Sequence, residues 1–218
     1  MPPINHVSLP AMRPRLTNKA NVRSAIAVWM ALSSPLLAQA DNISRPAVVK
    51  FNTVCARCHE GECSGRLSFS SGPSATQGHI WRYFPEATPA DASELYAILK
   101  YVKVNCAHYP LPDSVPIKGE WGAEALRQWQ NPSGDNYFVP LGKLTKGRHE
   151  LSLGFERAAE GNLRVSNEKF DILLEERLCR SKTFRLLLPV TVEATYYLHL
   201  DADAPLLEMT LHPAPSGR

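Results

Sequence analysis

The segment Cys55-Ala56-Arg57-Cys58-His59 constrains this chain more than any other part of its sequence. It places two thiols close together and an imidazole directly after the second thiol. Thiols at this spacing can add across the two vinyl groups of one haem, and the adjacent imidazole can then bind the iron from one side. A chance occurrence and half of a zinc site are the competing interpretations. The pattern predicts one covalent haem on Cys55 and Cys58, with His59 as an iron ligand.

Residues 1–40 have the layout of a secretory signal peptide. They contain no Asp or Glu, and a basic stretch from Arg13 to Arg23 precedes a mostly apolar one from Ser24 to Leu37. The small residues of Ala38-Gln39-Ala40 form a cleavage site. The apolar stretch is shorter than the roughly 20 residues that span a bilayer, although an uncleaved anchor is the alternative. We therefore expect a periplasmic protein, cleaved before Asp41.

The charge balance changes once residues 1–40 are set aside. The whole chain has 24 Lys and Arg against 21 Asp and Glu, and four of the basic residues lie in the predicted signal peptide. The remainder therefore carries 20 basic against 21 acidic residues. This balance gives no support for nucleic-acid binding or for a polybasic membrane patch.

All five cysteines lie downstream of the predicted cleavage site. Export to an oxidising compartment permits disulfides, and two of the thiols are assigned to haem. Of the remaining three, Cys63 and Cys106 flank the predicted haem region and are the preferred pair. Cys179 is then a buried structural thiol, or else an intermolecular or ligand thiol.

A proline-rich segment, Tyr109 to Pro116, divides the rest of the chain. Three prolines cannot continue a helix, so the segment predicts a stiff connector. We expect a haem domain over residues 41–110, a linker over 111–120 and a β-rich domain over 121–218.

Helical signals lie upstream of this connector. Ser44 can cap a first helix with Pro46 in its first turn, and that helix leads into the cysteines. Residues 61–90 are expected to be loop, with at most one short helix around His79 to Phe84. A closing helix is expected to start near Asp91, with apolar residues at helical spacing.

Alternating apolar residues dominate downstream of the connector, after a short helix between Trp121 and Gln130. Leu151, Leu153 and Phe155 lie on one face of a predicted strand, and three further strands show the same alternation. Turn residues, including Glu160-Gly161-Asn162, separate them. Several short strands at this spacing predict an antiparallel sandwich or barrel.

The helix running into the cysteine motif, the loop-rich middle and the closing helix Glu94–Val102 together resemble the class I c-type cytochromes. The resemblance covers residues 44–108. It implies haem c, His59 as the proximal iron ligand, and electron transfer with a redox partner protein. The expected fold class is α+β, a small all-α cytochrome c-like domain followed by an antiparallel β-sandwich-like domain.

The chain departs from that family at the second face of the iron. Its members usually present a Met before the closing helix, whereas this chain has only Met209 beyond the signal peptide. We favour His79 as the distal ligand, because it lies in the expected loop. An open or water-filled position, His108, and a thiolate from Cys63 or Cys106 are the alternatives.

Three classes of function follow. The first is an exported electron-transfer protein or haem subunit whose β-domain docks a partner oxidoreductase. The second is a haem enzyme or a gas or peroxide sensor with an open sixth iron site. The third is a β-type binding or assembly module with accessory haem. The sequence shows no phosphate-binding loop, catalytic triad or paired-carboxylate motif, which favours the first class. His149, His199 and His212 lie on or beside strands and are expected to be surface or packing residues rather than metal ligands.

Overall fold

The computed structural model describes residues 43–58, 69–111, 119–132, 134 and 136–215. Its helices are α1 (Arg45–Thr53), α2 (Gln77–Tyr83), α3 (Pro89–Asn105) and α4 (Ala123–Arg127), with 3-10 turns at Cys55–Arg57 and Pro73–Thr76. Its strands are β1 (Glu120–Gly122), β2 (Asn136–Leu144), β3 (Gly147–Asn167), β4 (Ile172–Val190), β5 (Ala194–Ala202) and β6 (Leu206–Pro213). The predicted signal peptide, residues 1–40, lies outside these ranges. None of the helices described here combines the length and apolar character needed to cross a membrane.

Helix α1 begins as the sequence predicts. Ser44 is its N-cap, with Pro46 in the first turn, and the Ala47 backbone N–H donates to Ser44 Oγ at 3.3 Å. This bond satisfies one of the amide groups that a helix N-terminus leaves without an internal partner. Ser44 Oγ also donates to the Glu94 carboxylate at 2.5 Å, which joins the start of α1 to α3.

Helix α3 begins two residues before the predicted start at Asp91. Thr88 is the N-cap, and Thr88 and Asp91 form a reciprocal capping box, in which each side chain accepts from the other residue's backbone N–H. The Thr88 hydrogen bonds lower the pKa of the Asp91 carboxyl. Leu95, Ile98 and Val102 are buried on one face, as expected from their helical spacing.

Cysteine pairing is described in part. Cys106, which follows α3, is disulfide-bonded. Its predicted partner Cys63 lies outside the described residues, so that pairing stays a prediction. Cys179 is a free thiol. It is exposed on β4, which corrects the preferred interpretation of a buried structural thiol.

Within the described residues, six strands form one antiparallel sheet organised around β3. Strand β4 pairs along one edge of β3. On the other edge, the first half of β3 pairs with β6 and its second half pairs with β5. The register shifts between Gly154 and Ala159, where the sheet bends into two wings. The first wing continues through β6 to β1, and the second continues through β5 to β2.

The bend lets one sheet enclose an apolar core between its own wings. This inner core is one buried cluster with side chains from both wings, among them Trp121, Leu153 and Met209 from the first and Tyr137, Val139 and Leu198 from the second. The predicted alternation of Leu151, Leu153 and Phe155 is confirmed, since all three are buried.

A second buried cluster lies between the helices and the outer face of the second wing. Phe138 of β2 and Tyr197 of β5 belong to it together with residues of α1, α2 and α3. Their rings stack with centroids 5.2 Å apart and planes within 6°. Alternate residues of β2 and β5 therefore bury opposite faces of the sheet, one toward the inner core and one toward the helices.

The predicted fold class is wrong. Strands make up 45% of the described residues and helices 29%, and the sheet curls into a half-barrel. The helices do not form a small all-α domain with its own core, because Phe138 and Tyr197 of the sheet complete that core. The β-region is one curled sheet around its own core rather than a sandwich of two sheets. Most of the predicted linker, residues 112–118, lies outside the described ranges, so the domain boundary stays a prediction.

Candidate functional site

The 3-10 turn after α1 positions the two cysteines of the motif. The Cys58 backbone N–H donates to the Cys55 carbonyl oxygen at 3.1 Å, and Arg57 donates to Val54 at 3.3 Å. Side chains three residues apart in such a tight turn lie on the same side of it. Cys55 and Cys58 are both free thiols, the first half-buried and the second exposed.

Both thiols border a small pocket together with His79. We name this the cysteine pocket, and its lining residues are Val54, Cys55, Cys58, His79, Ile80, Tyr83 and Phe84. His79 lies on α2, where its ring packs against Tyr83 with centroids 5.2 Å apart. The structure thus brings together three of the residues that the sequence assigned to a haem site. The fourth, His59, lies outside the described residues.

The environment of Cys55 favours its neutral form. Burial, and then the neighbouring Cys58, raises the pKa of the Cys55 thiol to about 11. At neutral pH this thiol is therefore protonated, which differs from the low-pKa thiolates of reactive cysteines. A thiol held in its protonated form is poorly suited to act as a nucleophile.

The cysteine pocket holds the side-chain types that a covalent haem would need, but it lacks the space. Two free thiols and one imidazole line the same pocket, and Ile80 and Phe84 are its apolar neighbours. The pocket has a volume of only about 40 Å³. That is room for a few water molecules, so haem attachment requires the side chains of α2 to move away from the cysteine turn.

The weaker sequence candidates lie elsewhere. His108 borders a different cavity from Cys55 and Cys58. Met209 is fully buried in the inner core. His149 is buried with Nε2 at 2.9 Å from the Thr145 carbonyl oxygen, and the exposed His212 lies 4.0 Å from the Glu120 carboxylate. Among the described residues, no group of three or more His, Cys, Asp or Glu side chains is placed to hold a metal ion.

A larger cavity separates α1 from the outer face of the second wing. We name it the histidine cavity, because His108 and His199 both line it. Its volume is about 420 Å³, and its apolar lining includes Phe51, Val102 and Phe170. His199 was expected to be a packing or surface residue, and the sequence does not predict this cavity. One sequence pattern does indicate that His199 is buried. A strand that is apolar on both faces is covered on both sides, and His199 lies in such a strand, Tyr196-Tyr197-Leu198-His199-Leu200.

The two histidines lack part of their hydrogen bonding. His108 Nε2 lies 3.4 Å from Ser166 Oγ, but His108 Nδ1 and His199 Nε2 are buried without a partner among the described residues. Burial lowers the pKa of His108 well below its usual value, with His199 contributing. Burial, and then the charge of Arg164, lowers the pKa of His199 to about 3. Both rings are therefore neutral at pH 7.

Two ion pairs line the rim of the histidine cavity. Arg57 donates to Asp201 at 2.8 Å and Arg164 donates to Glu175 at 2.9 Å. Asn136 connects the first pair when its amide is oriented to donate to Asp201 Oδ1 at 2.6 Å and accept from Arg57 at 3.2 Å. The charges of the rim thus cancel within each pair.

Comparison with known proteins does not place this chain in a family. No protein-family model matches the chain, and no curated protein matches it. A partly similar solved structure is described as a novel family GH115 4-O-methyl-alpha-glucuronidase with specificity for decorated arabinogalactans. The two sequences are 11% identical, the match covers 72% of this chain and 26% of that chain, and the TM-score is 0.29. The chain thus spans about a quarter of that protein's length, and similarity at this level carries no argument.

Proposed function

We propose that this chain is an exported protein with one covalent haem c, which transfers electrons to or from a partner oxidoreductase. The observation that supports the proposal most is that the free thiols of Cys55 and Cys58 share one pocket with the His79 imidazole. In this proposal the β-rich region docks the partner protein.

Attachment to the two thiols balances without any other reactant. At each cysteine the S–H bond breaks, a bond forms between sulfur and one vinyl carbon, and the hydrogen goes to the other vinyl carbon. No atom leaves and no oxidant is required, so the mass of the product is that of the chain plus one haem. The neutral thiol of Cys55 is the form that carries this hydrogen.

The bound group would supply one-electron chemistry at its iron. His59 and His79 are the candidate donors to the iron, and two imidazoles favour the ferric state more than an imidazole with a thioether. Ile80 and Phe84 are buried beside the pocket and would exclude water from the ring. Cys58 is exposed, so one edge of the ring would lie near the surface, as exchange of electrons with a partner requires.

Mass spectrometry of the exported protein tests the proposal. We expect the chain plus one haem, retained after denaturation, and loss of that mass in a variant with Cys55→Ala and Cys58→Ala. Cys179→Ala is the matched control, because Cys179 is also a free thiol but lies on β4 away from the pocket. Retention of covalent haem in the double variant would end the proposal, and so would its absence from the wild-type protein matured in a host that attaches haem c.

A further inference from the structure

We propose that helix α2 is a movable lid over the Cys55 thiol, which opens by leaving its place against α1 and α3 while the rest of the fold stays closed. The cysteine pocket has a volume of about 40 Å³, which admits a few water molecules. A group the size of a haem therefore reaches the thiols only if one wall of the pocket moves. The inference rests on the proposed function for the identity of that group, whereas the motion itself is measured on the chain without haem.

The two walls of the cysteine pocket come from different elements. One wall is the turn that carries the two cysteines, together with Val54 before it. The other wall is supplied by α2 and its C-cap, through His79, Ile80, Tyr83 and Phe84. Movement of α2 away from the cysteine turn therefore enlarges the pocket.

Helix α2 is held in place by less apolar contact than its neighbour α3. Ile80 is the buried residue of α2, and the buried Phe84 follows it as the C-cap. Both belong to the cluster shared with α1 and α3, and Lys50 Nζ lies 5.5 Å from the centroid of the Phe84 ring. Helix α3 buries four side chains in the same cluster. Because α2 exposes less apolar surface when it leaves the cluster, it should open before α3 does.

Both flanks of α2 permit it to move as a unit. Gly72 precedes it with a φ of 68° and open space where a Cβ would lie. Pro85 follows Phe84 and cannot continue the helix. Between these two breaks, the Trp81 Nε1–H donates to the Ala87 carbonyl oxygen at 2.9 Å, which fastens α2 to the segment that leads into α3. Opening about the breaks would lose this bond.

The two thiols report on the position of the lid. Cys55 is half-buried and Cys58 is exposed. A maleimide should therefore reach Cys58 in the closed chain and Cys55 mainly in the open one. Trypsin cleaves after Lys50 and after Arg57, which places the two thiols on separate peptides.

Labelling of the full chain without haem by N-ethylmaleimide, followed by peptide mass spectrometry, tests the proposal. We expect Cys55 to react at least tenfold more slowly than Cys58. Trp81→Phe keeps an aromatic ring and removes one hydrogen bond, so it should speed Cys55 by about two- to tenfold and leave Cys58 unchanged. Tyr196→Phe is the matched control, because it removes the hydrogen bond to the Val192 carbonyl oxygen, which is remote from α2, and it should change neither rate. Equal rates for the two thiols in the wild type, or an unchanged Cys55 rate in Trp81→Phe, would overturn the proposal.

Amide hydrogen exchange distinguishes opening of the lid from unfolding of the whole chain. The amides of residues 77–83 should exchange at least tenfold faster than those of α3, and Ile80→Ala should widen the difference. The wild-type comparison needs no substitution, so it decides the matter even if Ile80→Ala does not fold. Covalent haem on a chain whose α2 amides exchange as slowly as those of α3 would overturn this inference and leave the proposed function standing. Fast exchange of α2 and slow labelling of Cys55 in a chain that never acquires covalent haem would end the proposed function and leave the lid supported.

Discussion

The imidazole rings of His108 and His199 lie with their centroids 5.3 Å apart and their planes tilted by 40°. The first ring follows α3 and the second lies on β5, so the contact joins the helices to the sheet. Aromatic side chains surround His108, with Phe138, Phe170 and Tyr197 all within 5.4 Å between ring centroids. Protonation of either histidine would place a charge in this apolar layer, so acid should lower the free energy of unfolding.

We expect the free energy of unfolding to fall as the pH is lowered from about 6.5 toward 3. The pKa of His199 is about 3 in the folded chain against an ordinary value of 6.5, so the unfolded chain binds the proton first. Stability is complete above the unfolded pKa and decreases below it, by up to about 1.4 kcal/mol per pH unit for each such histidine. Urea unfolding of the wild type and His199→Phe between pH 7 and pH 4 measures the difference.

The exposed Leu187 provides the control for that experiment. Leu187→Ala removes no ionisable group and should keep the wild-type dependence on pH, whereas His199→Phe should show a shallower one. Identical slopes for the wild type and His199→Phe would show that His199 is protonated equally in the folded and unfolded chains.

His79→Ala is expected to convert a low-spin haem spectrum into a high-spin one that binds carbon monoxide. His79 lines the cysteine pocket together with both thiols, and in the haem proposal its loss would leave one face of the iron without a protein donor. Optical and paramagnetic resonance spectra of the wild type, His79→Ala and His212→Ala distinguish the outcomes. A wild type that is already high-spin would count against His79 and favour the enzyme or sensor class.

Phe138→Ala should destabilise the helices as well as the sheet. Phe138 is fully buried, and truncation of such a side chain typically costs about 3–5 kcal/mol. Since its ring belongs to the cluster shared with α1 and α3, the amides of both helices should lose protection from hydrogen exchange. Leu187→Ala, at a position 40% exposed on β4, should cost under about 1 kcal/mol. Helices that kept full protection in Phe138→Ala would show that they fold independently of the sheet.

Gly161→Ala should destabilise the fold by about 1–3 kcal/mol. A Cβ at this position would collide with the backbone carbonyl oxygen of Asp201 on the paired strand β5, and backbone atoms cannot move away easily. Gly78→Ala is the matched control. Gly78 lies in α2 with open space where its Cβ would be, and alanine there should stabilise by about 0.5–1 kcal/mol. Thermal unfolding of both variants gives the comparison, and a neutral Gly161→Ala would show that β3 and β5 are farther apart here.

Local features were predictable because their physics is local. The Ser44 cap, the helix α2 and the alternation of Leu151, Leu153 and Phe155 depend on neighbouring residues alone. The start of α3 near Asp91 was predicted to within two residues, and Asp91 is the capping-box partner of the N-cap Thr88.

Nonlocal features were not predictable in the same way. The predicted turn at Glu160-Gly161-Asn162 is wrong, since these residues continue β3. Glycine there serves a close approach to β5, and a sequence pattern does not distinguish that use from a turn. The fold class failed for a related reason. Phe138 and Tyr197 alternate with residues of the inner core, and the sequence does not show which layer covers their face of the sheet.

The histidine cavity is also a product of distant packing. Its walls come from α1 and the turn after it, from α3 and the segment after it, and from the strands β2, β3, β4 and β5. No short motif spans these elements, so the sequence alone does not indicate that His108 and His199 lie side by side. The cysteine pocket differs, because Cys55 and Cys58 are already adjacent along the chain.

The ion pair of Arg57 with Asp201 has a consequence for the order of events during biogenesis. Arg57 lies between the two cysteines of the motif, and its partner follows it by 144 positions along the chain. A chain delivered N-terminus first presents the cysteine turn long before β5 emerges. During that interval the Arg57–Asp201 ion pair has not formed. In the haem proposal, an attachment enzyme would therefore meet the turn as an accessible peptide, and the ion pair would form after the thioether bonds.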